Sequence, residues 1–122
     1  MTSILVVDDD RNNQRILSFT LRNAGYEVQI ASDGETGLES LREAAVDLAI
    51  IDYTMPIMDG LMMVKLMKQE KELADIPIII LTASGDDSLR ISAQKIGVHG
   101  FLTKPSSSES ILETVANILK IT

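Results

Sequence analysis

Three aspartates, Asp8, Asp9 and Asp10, stand side by side directly after the apolar run SILVV (3–7). A further aspartate, Asp52, closes the run DLAII (47–51), inside IIDYTMPIMDG. Thr82 follows PIIIL (77–81) within IIILTASG, and Lys104 ends HGFLT (99–103) within FLTKPSS. Each polar group sits where an apolar run gives out. Carboxylates brought together without a cation raise one another's pKa values and oppose folding. An oxygen-seeking cation resolves that conflict. Mg2+ fits best, because it takes one or two carboxylates, keeps waters and accepts phosphate oxygens. A lysine ammonium and a threonine hydroxyl at the same place would hold the remaining oxygens of a phosphoryl group. The set has the chemistry of a Mg2+-assisted phosphoryl site with a carboxylate as acceptor.

Those groups can meet only if the runs are strands of one sheet. Five short apolar runs, at 3–7, 27–31, 47–51, 77–81 and 99–103, recur at a fairly even interval. The runs at 3–7, 47–51 and 77–81 are continuously apolar, as strands covered on both faces are. EVQIA (27–31) alternates and HGFLT contains Gly and Thr, so these two suit the edges. Between the runs, apolar residues fall at helical spacing. The faces are Ile16, Leu17, Thr20, Leu21 and Ala24; then Leu38, Leu41, Ala44 and Ala45; then Leu61, Val64, Met67 and Lys68. Leu89, Ser92, Ala93 and Ile96 form the fourth, and Ile111, Leu112, Val115, Ile118 and Leu119 the fifth. Gly25 and Gly97 are placed as helix stops, and a serine of SSSES (106–110) as the cap of the last helix. Five β-α repeats predict an α/β fold, a parallel sheet with helices on both faces. Such folds bind ligands at the carboxyl ends of their strands, where strand order reverses. That rim is where every one of the polar groups falls.

Composition narrows the class. A chain of 122 residues fits one domain, and 45% apolar residues suffice for a core without staples. There is no cysteine and a single histidine, His99, which excludes thiolate and His-cluster metal sites. A net charge of −7 and 3% aromatic residues argue against direct binding of nucleic acid. No apolar stretch is long enough for a membrane span and no signal peptide opens the chain, so a cytoplasmic location is expected.

The set VVDDD, IIDYTMPIMDG, LTAS and FLTKP, in this order and spacing, resembles the receiver domain of bacterial response regulators, and the likeness covers essentially the whole chain. The resemblance implies the doubly wound, flavodoxin-like sheet of order 2-1-3-4-5, the order of the chemotaxis member that serves as a standard example of the fold. It also implies one receiver domain over 1–122 with no output domain. Asp52 would be the phospho-accepting residue, with Asp9 a direct Mg2+ ligand and Asp8 a ligand through water. The backbone carbonyl of Thr54 would be a further ligand. Thr82 and Lys104 would hold phosphoryl oxygens, helped by the N–H of Ala83, and the Lys104–Pro105 bond would be cis. The donor would be a sensor histidine kinase or a histidine phosphotransfer protein. The output would be a change in the face made by the fourth helix, fifth strand and fifth helix, read by a downstream protein. Thr82 and Phe101 would be the moving residues, and the protein a monomer or a phosphorylation-dependent dimer. It would catalyse its own modification and its reversal rather than act as an enzyme on a diffusible substrate. Two positions depart from or qualify the pattern. Ser106 follows Lys104-Pro105 where a bulky apolar residue is common, and Phe101 lacks the hydroxyl of a tyrosine. Thr54 and Ser84 occupy the positions that tune phosphoryl lifetime in the family.

Plainer readings stand beside these. Asp8 and Asp9 could serve only as negative charge at a helix N-terminus. Asp10 reads as a cap and Asp59-Gly60 as a turn into a helix. His99 reads as structural, and the methionines at 55, 58, 62, 63 and 67 as packing. Phe101 could be edge-strand packing. Other functions fit less well. A Mg2+-dependent aspartyl-phosphate phosphatase needs two carboxylates in one D-x-D strand end and a cap over its substrate. A flavin carrier needs a Ser/Thr-Gly phosphate loop after the first strand. A module that only binds would not need the site residues.

Overall fold

The computed structural model describes residues 1–121. Strands and helices alternate as β1 (Ser3–Val7), α1 (Arg11–Asn23), β2 (Glu27–Ala31), α2 (Gly34–Glu43) and β3 (Leu48–Asp52), then α3 (Gly60–Gln69), β4 (Ile78–Thr82), α4 (Asp87–Lys95), β5 (Gly100–Thr103) and α5 (Ser108–Ile121). All pairings are parallel, in the order β2-β1-β3-β4-β5. Every residue of β1, β3 and β4 is buried, whereas β2 and β5 are partly open. Continuous apolar runs thus form the centre and mixed runs the edges.

Alternate side chains of the strands face two separate cores, as the period of two requires. Leu5, Val7, Ala49, Ile51, Ile78 and Ile80 pack with Leu38 and Leu41 of α2 and Met63, Val64 and Met67 of α3. Ile4, Val6, Leu48, Ile50, Ile79 and Leu81 pack with Leu17 and Leu21 of α1 and Ile111, Val115 and Ile118 of α5. Local signals set the helix ends. Asp10, Asp33, Asp59 and Asp86 each accept a backbone N–H from the first turn that they cap. Gly25 and Gly97, at φ 97° and 93°, end α1 and α4 in a conformation that costs glycine nothing. Ser107 receives the Ser110 N–H at 3.1 Å and so caps α5.

The helical faces are shifted from those the spacing predicts. On α3 the buried set is Gly60, Met63, Val64 and Met67, while Leu61 is half-buried. Lys68 is half-buried and its Nζ donates to the Ala74 carbonyl at 2.9 Å. On α1 Ile16 is 61% exposed, and on α4 Ala93 alone is buried. Spacing identifies a stripe, but the angle at which a helix crosses the sheet decides which edge of the stripe is covered. Strand ends also move by a residue. Asp47 and Pro77 precede β3 and β4, because Pro77 has no N–H to pair and Asp47 turns back to Ser3, whose N–H its Oδ2 accepts at 2.8 Å. β5 ends at Thr103, so Lys104 stands just past it.

Candidate functional site

β1 and β3 are neighbours in the sheet, and their carboxyl ends bring Asp8 beside Asp52. One carboxylate oxygen each from Asp8, Asp9 and Asp52 lie within 4.8 Å of one another. Asp8 is 1% exposed and Asp52 5%, whereas Asp9 is open to solvent. Lys104 comes from the far side of β4, two strand spacings from β3, or about 10 Å. Only a long stem can cross that distance, and β4 ends in the small Thr82 beneath it. The ammonium arrives 3.1 Å from Asp52 Oδ1 and 3.7 Å from Asp8 Oδ2. The root of Lys104 is held by its own N–H, which donates to the Thr82 carbonyl at 2.6 Å. The Lys104–Pro105 bond is cis.

Electrostatics at Asp52 are a contest. Burial pushes its carboxyl above the ordinary range, and the charge of Asp8 adds to the push. The hydrogen bond and charge of Lys104, with the Thr54 N–H, pull the other way without winning. Asp8 Oδ1 accepts the Asp10 N–H at 2.9 Å, while buried Oδ2 finds no hydrogen-bond partner among the described residues. Its nearest cation, at 3.7 Å, is too far for one. An all-oxygen set with one buried oxygen unsatisfied and three carboxylates against one lysine suits a hard divalent cation. The donor chemistry therefore fits Mg2+, with Asp8, Asp9 and Asp52 as the residues that would hold it.

Gly60 explains the Asp59-Gly60 pair. A Cβ there would lie 2.7 Å from the Asp52 carbonyl oxygen and 2.9 Å from Tyr53 Cα. The Gly60 N–H instead donates to the Tyr53 carbonyl at 2.8 Å, folding the loop after β3 back onto Asp52. Thr82 is buried at the end of β4, its Oγ1 accepting the Ser84 N–H at 3.1 Å. Phe101 packs against the α2–α3 core with the Arg90 guanidinium 6.0 Å from its ring centre. Asp10 caps α1 and takes no place among the clustered carboxylates. His99 lies before β5, where its Nδ1 accepts the Ile78 N–H at 3.3 Å. Gln14 joins this rim without any signal in the sequence. It reads as an ordinary polar helix residue, yet its amide donates to the Asp8 carbonyl at 2.6 Å.

Residues 4–116 match the family model of the response regulator receiver domain. The chain belongs to that family. The receiver is 35% identical to the transcriptional regulatory protein GltR of Pseudomonas aeruginosa over 118 residues, 97% of this chain and 49% of GltR. It spans about half the length of the transcriptional regulators it matches. Chemotaxis protein CheY4 of Vibrio cholerae has a TM-score of 0.92 to the receiver at 33% identity, over 97% of this chain and 98% of that one. The receiver domain of a sensor histidine kinase from Pseudomonas aeruginosa was solved with a magnesium ion in its active-site cleft. It has a TM-score of 0.89 at 25% identity, over 98% of each chain. Among the described residues no helix is long and apolar enough to cross a membrane.

Proposed function

We propose that this receiver accepts a phosphoryl group on Asp52 from a phosphohistidine and passes the change to a protein partner. The observation that carries the reading is the meeting of Lys104 with Asp52 and Asp8 beside an unsatisfied buried carboxylate oxygen. An Asp52 carboxylate oxygen attacks phosphorus in line with the P–N bond of the donor. That bond breaks, and its electron pair returns to the imidazole. The transition state is loose and spreads charge over the equatorial oxygens. Lys104, held at its root and reaching over Thr82, offers a fixed ammonium to one of those oxygens. Thr82 Oγ1 accepts the Ser84 N–H and keeps its own O–H to donate to a second oxygen. When bound, Mg2+ neutralises carboxylate and phosphoryl charge at the same point. Water later cleaves the acyl phosphate and returns Asp52 with inorganic phosphate. The chain thereby acts on itself and is not an enzyme for a diffusible substrate.

The donor, a sensor histidine kinase or a histidine phosphotransfer protein, would dock beside Lys104. A groove of about 440 Å³ opens there between α1 and α5, lined by Ile16, Leu17, Pro105, Ser106 and Ile111. The solvent-exposed Ile16 and Phe19 of α1 extend its apolar surface. The output would lie on the α4-β5-α5 face. There α4 buries only Ala93, so little packing opposes its movement when Thr82 and Phe101 shift. Residues 1–122 would act as one receiver domain in the cytoplasm, as a monomer or a phosphorylation-dependent dimer.

Acetyl phosphate or a beryllium fluoride complex, supplied with Mg2+, is expected to modify the wild type at Asp52 and to leave Asp52→Asn unmodified. Intact-mass and fluorine resonance measurements read the two. Equal modification of both proteins would refute the assignment.

A further inference from the structure

Asp8 is pinned by three hydrogen bonds. Its N–H donates to the Ala31 carbonyl at 3.1 Å and its Oδ1 accepts the Asp10 N–H at 2.9 Å. The third goes from Gln14 Nε2 of α1 to the Asp8 carbonyl oxygen at 2.6 Å. The first two partners are backbone groups that any residue would supply. The third depends on one side chain. A carbonyl can only accept, so the Gln14 amide must turn its nitrogen toward Asp8. An amide nitrogen has two hydrogens, and the same Nε2 reaches Ser32 Oγ in the β2–α2 loop at 3.1 Å.

We propose that Gln14 is a positioning residue for the metal site, setting the Asp8–Asp9 peptide so that the Asp9 carboxylate points at Asp8 and Asp52. Asp52 ends a buried strand and Asp8 follows one, so packing already holds both. Asp9 is exposed and has no such support. A peptide unit is planar, so fixing the Asp8 carbonyl oxygen also fixes the direction of the Asp9 N and Cα. Gln14 is therefore the side chain that orders the one carboxylate of the three that burial leaves free, and Ser32 anchors Gln14 from the other side. Its chemistry suits the task. The amide nitrogen serves the Asp8 carbonyl and Ser32 Oγ at once, one hydrogen to each. A neutral amide orients the peptide and leaves its charge intact.

This inference rests on the Mg2+ reading above, and calorimetric titration of the full chain with Mg2+ tests the two separately. Absence of binding by the wild type would overturn the metal reading, and this one with it. If the wild type binds, Gln14→Met, which keeps length and removes both donors, is expected to raise the Mg2+ dissociation constant about 10-fold. Ser32→Ala, remote from the carboxylates, is expected to raise it about 2- to 3-fold through loss of one weak hydrogen bond. The double variant should bind no more weakly than Gln14→Met alone, because Ser32 acts only through Gln14. A purely structural role would lower the melting point in chelator and leave these affinities untouched. Wild-type affinity in folded Gln14→Met overturns the proposal. Should that variant fail to fold, unchanged affinity in Ser32→Ala overturns it instead.

Discussion

Replacing Lys104 by Met keeps most of the stem and removes the ammonium that lies between two carboxylates. In the native site Nζ is 3.1 Å from Asp52 and 3.7 Å from Asp8. With an effective dielectric of about 20, those attractions are each worth about 5 kcal/mol gross. Dehydrating the lysine offsets part of that. Removing one member of a buried ion pair generally costs about 3–5 kcal/mol, because the other charge is left without compensation. Here a ceiling applies. The variant can bind a proton at Asp52, whose carboxyl is already pushed upward by burial and by Asp8. Protonating an ordinary carboxyl of pKa about 3.9 at pH 7 costs about 4 kcal/mol. The expected loss in Mg2+-free buffer at pH 7 is therefore about 3 kcal/mol and no more than about 4.

The sign of the pH dependence follows from the same proton. A carboxyl whose folded pKa is raised contributes stability that is fully present below its unfolded pKa and lost as pH rises through the folded one. The Lys104→Met deficit should accordingly shrink between pH 7 and pH 4, by up to about 1.4 kcal/mol per unit once the proton is bound. Saturating Mg2+ at pH 7 should shrink it as well, by returning positive charge to the same carboxylates. In an Asp52→Asn background the substitution should cost less than in the wild type, since only the longer contact to Asp8, at 3.7 Å, is left to lose. Urea unfolding followed by far-ultraviolet circular dichroism, with chelator and with Mg2+, measures all four quantities. A variant as stable as wild type in chelator at pH 7, or a deficit unchanged at pH 5, would refute the account.

Ile57 sits at φ 71° in the loop between β3 and α3 with its side chain fully exposed. A β-branched residue gains nothing there and bears the left-handed penalty of about 1–2 kcal/mol, so Ile57→Asn should raise the urea midpoint; an unchanged or lower midpoint would contradict this. Burial holds the His99 imidazole below its usual pKa, Lys68 adds to the effect, and its Nδ1 is occupied by the Ile78 N–H. A depressed pKa means stability present above the unfolded value of about 6.5 and lost as pH falls below it. His99→Asn should therefore lose less stability than wild type between pH 7 and pH 5, and parallel pH profiles would count against the assignment.

Much of this architecture is legible in the chain because the signals are local. Continuous Ile and Val runs mark β1, β3 and β4, since a strand covered on both faces has no polar position to spare. Asp10, Asp59, Gly25 and Gly97 mark helix ends because capping and positive φ are properties of single residues. The site is legible for a related reason. Asp52 and Thr82 end apolar strands and Lys104 follows one, and in a parallel sheet those ends lie on one rim.

Other features depend on packing between elements distant in the chain. Spacing puts Ile16 and Leu61 on buried faces, but the crossing of α1 and α3 over the sheet covers Ser18 and Met63 instead and leaves Ile16 in solvent. No count of residues shows that Lys104 crosses β4 to reach both Asp8 and Asp52, or that Asp8 keeps an unsatisfied buried oxygen. Gln14 is the clearest case. Its type suits any exposed turn of a helix, and only the approach of α1 to the end of β1 and the β2–α2 loop gives its amide two acceptors. Composition and periodicity determine which residues form strands and caps, because those preferences act within a few residues. The convergence of residues 8, 14, 52 and 104 is decided by strand order and helix docking, which come from the burial of two cores as a whole.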